Sequence, residues 1–428
     1  MNNDIVSYRE LFRVFGRIGV MSFGGPAAQI ALMHRELVED RPWLSEDSFL
    51  NALSFCMLLP GPEAMQLATW AGWKKRGIPG GLIAGGLFVI PGALMVLALA
   101  LAYARFGALP WVQSLFLGVK AAVVVIVIEA LLKVSKRAFG QASGASAQQS
   151  WVIAGLSFLG IFALNIPFPI IIFLAGLWGY FTALNTHQQE APKNTHKPVH
   201  SLWVIMFGIL IWALPFAFIS ASPAADFLTH SGIFFSKLAV VTFGGAYAVL
   251  AYMTQEVVST NGWLSTQEML DALGLAETTP GPLILVTEFV ATLAAHKQGG
   301  VSLAIGNAVL TLWVTFVPCF IWIFAGAPWV ERIMAHPRLR AGLQAITAAV
   351  VGVIANLSIW FALHVFFDQV DTTEMWMFSL LNPVLSSLNL SACVLAGLSA
   401  YLLLVRKWNL LIVLGVLGIS GLLINAIL

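Results

Sequence analysis

The chain has 428 residues, 59% of them hydrophobic and only 10% charged, with a formal net charge of +2. A soluble domain carries about 25% charged residues, and no soluble core of this length hides so much apolar surface. The balance excludes a soluble enzyme or a nucleic-acid-binding protein and leaves a polytopic membrane protein in contact with a lipid bilayer.

A spanning helix needs about 20 apolar residues. In chain order the candidates are roughly 12–33, 48–70, 80–104, 113–134, 151–165, 167–184, 202–220, 232–253, 268–291, 302–325, 340–366, 375–404 and 408–427. Asn165-Ile166-Pro167-Phe168-Pro169 divides the fifth from the sixth, and Arg406-Lys407 divides the last two, so both pairs read as hairpins; 367–390 is ambiguous. The long polar linkers are 135–150 and 185–200. The N-terminus lacks a basic region followed by an apolar one, so no cleaved signal peptide is expected. Cys56, Cys319 and Cys393 stand far apart without zinc spacing and read as small core residues.

An internal repeat organises the chain. Phe23-Gly24-Gly25-Pro26, Glu36, Trp43-Leu44-Ser45 and Pro60-Gly61-Pro62 recur as Phe243-Gly244-Gly245, Glu256, Trp263-Leu264-Ser265 and Pro280-Gly281-Pro282, with 17 identities in 40 ungapped positions. The expected domains are a first repeat over 1–184, a linker with an extra helix over 185–231, and a second repeat over 232–428. With the N-terminus in the cytoplasm, sixteen Lys and Arg residues fall inside, five (Arg35, Arg41, Arg105, Lys237, Lys297) fall outside, and Lys120 lies within a helix. Seven segments separate the starts of the repeats, and an odd number inverts the second copy. The fold class is therefore all-α, two inverted repeats of about six helices joined by an extra helix, with helices broken at Pro-Gly-Pro.

Proline removes an N–H and glycine loosens the backbone, so Pro-Gly-Pro breaks a helix. Broken backbone at membrane depth is tolerated where it lines a cavity or is buried in protein. The helix restarting after each break offers free N–H groups and a positive dipole end, which suits an oxyanion. The candidate binding set is Phe23, Gly24, Gly25, Pro60, Gly61, Pro62, Phe243, Gly244, Gly245, Pro280, Gly281 and Pro282. Gln66 and Thr69 follow the first break as hydrogen-bond donors.

These motifs carry a resemblance. Phe23-Gly24-Gly25-Pro26, Leu59-Pro60-Gly61-Pro62-Glu63-Ala64, Gln66-Leu67-Ala68-Thr69, the run Gly85 to Gly92 and Leu275 to Pro282 resemble the chromate ion transporter family of the long, two-domain type. The resemblance implies efflux of chromate, read through its likeness to sulfate, across the bacterial inner membrane. Sulfate or another oxyanion, and a passive anion channel, stand as alternatives. A homodimer is left open, although the Gly81–Gly85 spacing fits packing within one chain better.

Charged residues at depth are the remaining candidates. Glu63 is a protonatable coupling group, a partner to a basic group, or a cap on the restarting helix; Leu283 replaces it in the second copy. Glu288 stands where the family pattern has a neutral amide. Lys120 is expected to lend positive charge to the anion path. Arg35 and Glu36, in the first loop, are further gating candidates, while Trp43 and Ser45 read as an interfacial anchor and a helix cap. The eight histidines are scattered and no Walker loop is present, so no enzyme, metal, cofactor or direct ATP drive is expected.

Overall fold

The computed structural model describes residues 6–140, 145–183, 198–219, 222–243, 246–329, 336–375 and 378–427. Among these, five helices are long and apolar enough to cross a membrane: Glu63–Phe106, Pro110–Gly140, Ser201–Ile219, Leu283–Gly326 and Pro337–Phe366. The protein has an all-α polytopic membrane fold.

In the first copy, α1 (Tyr8–Met21) and α2 (Gly25–His34) replace the single span expected over 12–33. Gly24 and Gly25 have φ of 85° and 75°, a region open to glycine and closed to most other residues. A π-turn over Arg35–Glu39 extends α2. Ser45 then caps α3 (Glu46–Cys56), its hydroxyl accepting the Ser48 N–H at 3.3 Å. The chain leaves helical form at Pro60-Gly61-Pro62, where Gly61 has φ 115°, and restarts as α4 (Glu63–Phe106).

Helix α4 is two antiparallel limbs. Arg76 (φ −141°, ψ 21°) and Gly77 (φ 64°, ψ −157°) turn the chain back on itself. Gly72 then lies on Gly80, and Gly85 on Thr69, with no room for a Cβ between them. The second copy repeats the design with α9 (Ala225–Val241), α10 (Ala246–Thr254), a π-turn over Gln255–Thr260, α11 (Thr266–Ala276), a 3₁₀ turn over Leu283–Leu285 and α12 (Val286–Gly326). Its reversal is at Gly299 (φ −156°, ψ 22°) and Gly300 (φ 71°, ψ −161°). Ser265 caps α11 in a reciprocal box with Glu268: each backbone N–H donates to the other's side chain, at 2.8 and 3.2 Å.

The other helices are α5 (Pro110–Gly140), α6 (Ala145–Phe162), α7 (Phe168–Thr182), α8 (Pro198–Ile219), α13 (Pro337–Phe366), α14 (Leu390–Ala400) and α15 (Leu410–Ile427). The span expected over 375–404 is corrected. Its first part is an antiparallel hairpin of β1 (Val370–Met375) and β2 (Phe378–Pro383), with Val370 opposite Pro383. Val370, Thr372 and Thr373 favour a pleated strand, and Pro383 bars helix continuation. Helix resumes only where the Asn389 side chain accepts the Ala392 N–H at 2.9 Å.

The chain divides into two compact units, each drawing on both copies. The first holds Met1–Ala104, Gln188–Ala246 and Ala276–His336; the second holds Arg105–His187, Tyr247–Leu275 and Pro337–Leu428. In the first unit α12 packs on α8 and α9. There the Trp212 indole donates to the Val314 carbonyl at 2.9 Å and the Trp313 indole to the Ile211 carbonyl at 3.0 Å. In the second unit α13 packs on α5, α6 and α7, and α15 on α5.

Candidate functional site

Both Pro-Gly-Pro breaks lie in the first unit, and each is tied to the other copy. The Gly61 N–H donates to the Thr242 carbonyl at 2.8 Å, and the Gly281 N–H donates to the Ser22 carbonyl at 2.9 Å. Ser22 and Thr242 are equivalent positions just before the two Phe-Gly-Gly motifs, and their hydroxyls donate back to Ile18 and Leu238. The Phe23 and Phe243 N–H groups reach back two residues, to Met21 and Val241, at 2.9 Å each. A contact exchanged reciprocally between equivalent segments is the mark of a two-fold relation. The long limbs join the exchange. Gly61 sits where a Cβ would come within 2.8 Å of Cys319 Sγ on α12, and Gly92 on α4 lies directly against the Pro280 carbonyl. The structure thus brings Phe23, Gly24, Pro60, Gly61, Pro62, Phe243, Pro280, Gly281 and Pro282 into one region; Gly244 and Gly245 lie outside the described residues.

Side-chain amides cover the carbonyls exposed by the breaks. Gln66 Nε2 donates to the Pro60 carbonyl at 2.7 Å. Gln29 Nε2 donates to the Gly281 carbonyl at 2.7 Å and the Ser22 carbonyl at 3.3 Å. Both glutamines are fully enclosed, and their amide oxygens have no hydrogen-bond partner among the described residues. Neutralising a break carbonyl removes a dipole that would repel an anion. It leaves the positive end of the restarting helix, equivalent to about half a charge, free of that opposing dipole. The restarts differ: α4 begins directly at Glu63, whereas the second copy first makes the 3₁₀ turn, with the Leu285 N–H on the Pro282 carbonyl at 2.9 Å. Thr69, expected as a donor, gives its hydroxyl hydrogen to the Met65 carbonyl at 2.9 Å.

The carboxylates separate by environment. Glu63 is half-buried in the first turn of α4, where the helix dipole favours negative charge. Glu288 on α12 is 1% exposed, and neither carboxyl oxygen has a hydrogen-bond partner among the described residues. Glu36 is also 1% exposed but is held by Arg41 and by Arg17, the latter at 3.4 Å. Arg35 is exposed.

Lys120 belongs to the second unit. Its Nζ lies 3.1 Å from Asp271 Oδ1, with the two side chains 5% and 0% exposed. Lys120 also lines a cavity of about 310 Å³ with Gln113, Ser114, Gln267, His364 and Asp368. Asp271 is absent from the sequence-level candidates. It stands opposite Asn51 of the first copy, and a lone acid in the apolar run of α11 was the available signal. Gln29 was missed for a similar reason: it is one buried amide in a short apolar helix.

Comparison with known proteins agrees with the motifs. Residues 9–180 and 230–422 match the family model described as chromate transporter. A chromate transport protein of Cupriavidus metallidurans is 31% identical over 354 residues, 81% of each chain. A probable chromate transport protein of Synechococcus elongatus is 30% identical over 360 residues, 82% of this chain and 83% of that one. A chromate transport protein of Pseudomonas aeruginosa is 29% identical over 83% of this chain and 81% of its own length. No solved structure matches. The chain belongs to the chromate transporter family, a family of membrane transporters.

Proposed function

We propose that this protein is a secondary transporter that exports chromate from the cytoplasm and so confers chromate resistance. Its N-terminus would be cytoplasmic and its membrane the bacterial inner membrane. The observation that carries the reading is the crosswise exchange between Gly61 and Thr242 and between Gly281 and Ser22. It ties each break, one per copy, to the segment just before the other copy's Phe-Gly-Gly motif. If the copies are inverted, as the charge distribution suggests, the two positive ends approach the anion from opposite membrane faces. The anion is bound by backbone donors at the restarts, beside Phe23, Gly24, Gly25 and Phe243, Gly244, Gly245, with Gln66 and Thr69 in the surrounding wall. Glu63 and Glu288 are the coupling candidates. Lys120, its charge matched by Asp271, lends a positive group to the route within the second unit. Arg35 and Glu36 are the gating candidates of the first loop; Glu36 holds that loop through both Arg17 and Arg41, so Arg17 lies on the same side as Arg41 and not across the membrane from it.

The test is uptake of labelled chromate into inside-out vesicles or proteoliposomes. Saturable flux that excess sulfate reduces is expected, since backbone donors see two similar tetrahedral dianions. Absence of saturable flux in either direction refutes the transporter. Flux that never responds to an imposed cation gradient assigns a passive channel instead.

A further inference from the structure

The α12 hairpin holds a second polar centre, and its composition calls for a cation. Asn307 Nδ2 donates to the Ala291 carbonyl at 3.0 Å, which fixes how the two limbs face each other. Moving one turn along each antiparallel limb from that contact brings Glu288 opposite Thr311, and Thr315 follows one turn nearer Pro282. The first-copy hairpin has the matching register: its Thr69 faces Gly85, and with the copies aligned on Gly77 and Gly300 these positions correspond to Thr292 and Ala308.

Five oxygens on this seam have no hydrogen-bond partner among the described residues: both of Glu288, Asn307 Oδ1, Thr311 Oγ1 and Thr315 Oγ1. All four residues are at most 1% exposed. The neighbouring threonines behave differently. Thr287 and Thr292 donate back to the Ile284 and Glu288 carbonyls at 2.8 and 2.6 Å. Buried polar atoms are normally satisfied, and each orphan costs about 1–3 kcal/mol. A single proton on Glu288 would satisfy one acceptor. A bare monovalent cation accepts lone pairs from several oxygens at once, and one carboxylate matches its charge. Divalent ions of this kind prefer more carboxylates or retained water.

We propose that Glu288, Asn307 and Thr311, with Thr315 one turn beyond, form a sodium site on the second copy. It rests on the transport reading only for its coupling role. The first copy cannot form such a site, because aligning the copies on Gly77 and Gly300 places Met65, Ala84, Phe88 and Gly92 at these positions. Through Thr315 the row of oxygens runs toward the Pro-Gly-Pro break, so a bound cation would neutralise charge beside the anion.

The experiment measures labelled sodium binding to purified full-length protein, and chromate flux in proteoliposomes with sodium, potassium or choline at fixed pH. Saturable sodium binding that potassium and choline do not displace is expected. It should weaken at least tenfold in Glu288→Gln, in Asn307→Ala and in the shape-preserving Thr311→Val. Met65→Leu, at the matching first-copy position, should bind sodium as the parent does. No sodium-specific binding by the parent protein overturns the site, as does binding that Thr311→Val leaves intact in a monodisperse sample. Chromate flux that runs equally well in potassium or choline overturns its coupling role, while keeping the transporter. Sodium binding without chromate flux keeps the site and removes the chromate reading.

Discussion

The Lys120–Asp271 pair offers a direct measure of how stability and transport divide. Its atoms are 3.1 Å apart and both side chains are enclosed. At an effective dielectric near 20 the attraction is about 5 kcal/mol, offset by several kcal/mol of desolvation for each ion. The intact pair therefore contributes little net stability, but removing one member strands the other. Lys120→Met or Asp271→Leu alone should cost about 3–5 kcal/mol. For a unit of this size that lowers the thermal midpoint by about 6–20 °C. The double variant should recover most of the loss, because two apolar side chains can fill the same volume. Thermal unfolding of detergent-purified protein gives the stability terms of the cycle, and vesicle flux gives the functional one. If Lys120 also supplies charge to the anion route, the double variant regains its midpoint and not its flux. Single variants that each shift the midpoint by under about 2 °C would refute the buried pair. Flux restored together with stability would refute the transport role.

Four further outcomes follow from local geometry. Gly61→Ala and Gly281→Ala must hold an L-residue at φ of 115° and 87°; each should cost about 1–2 kcal/mol, with Gly61 worse because its Cβ meets Cys319 Sγ at 2.8 Å. Gly92→Ala drives a methyl into the Pro280 carbonyl and should abolish flux while lowering yield modestly, as seen by fluorescence size-exclusion and vesicle uptake. Gln29→Leu uncovers the Gly281 carbonyl, so about 1–3 kcal/mol of stability should be lost by thermal unfolding; an unchanged midpoint would show that this carbonyl has another partner. His34, outside the five spans, contacts Glu46 at 2.7 Å and Glu39 at 3.0 Å, and chiefly the Glu46 hydrogen bond raises its pKa above 6.5. A raised folded pKa means stabilisation fully present below about pH 6.5 and lost as pH rises through the folded value. The midpoint should fall across that window and the fall should vanish in His34→Asn; a midpoint that rises there would contradict the assignment.

What could be read in advance followed the residues that constrain their own backbone. Gly24, Gly61 and Gly281 announce positive φ, and proline announces a missing donor, so the breaks were visible as sequence. Their partners were not, because Ser22 and Thr242 take part through main-chain carbonyls that every residue carries. Lys120 stood out as a charge in an apolar helix, yet Asp271 is 151 positions away and no periodicity links them. Glu288 was visible for the same reason, whereas Asn307 and Thr311 matter only because the Gly299–Gly300 turn folds their limb back. The 375–404 window failed because its average apolarity concealed Asn382-Pro383 and the Asn389 cap, both local stop and start signals.

The two copies share backbone and differ in side chains, and that division bears on how such a protein could work. The turn angles at Arg76–Gly77 and Gly299–Gly300 agree to within about 15°, and the crosswise bonds to within about 0.1 Å. Were the copies inverted, as proposed, alternating access would rock one against the other, and parts that already match would not need to change shape. The breaks and turns would move as rigid pieces. The mismatch falls at the restart: α4 begins at once with Glu63 in its first turn, while α12 is preceded by the 3₁₀ turn Leu283–Leu285. A 3₁₀ turn has poorer hydrogen-bond geometry than an α-turn and converts to it by shifting donors one carbonyl along. The conversion would re-aim the N–H groups at the second break, where the anion is proposed to bind, and it lies between Pro282 and Glu288. Cation occupancy at Glu288 and anion contact at the break would therefore act on the same short segment; the first copy has Met65 in place of Glu288 and carries its carboxylate, Glu63, at the restart itself.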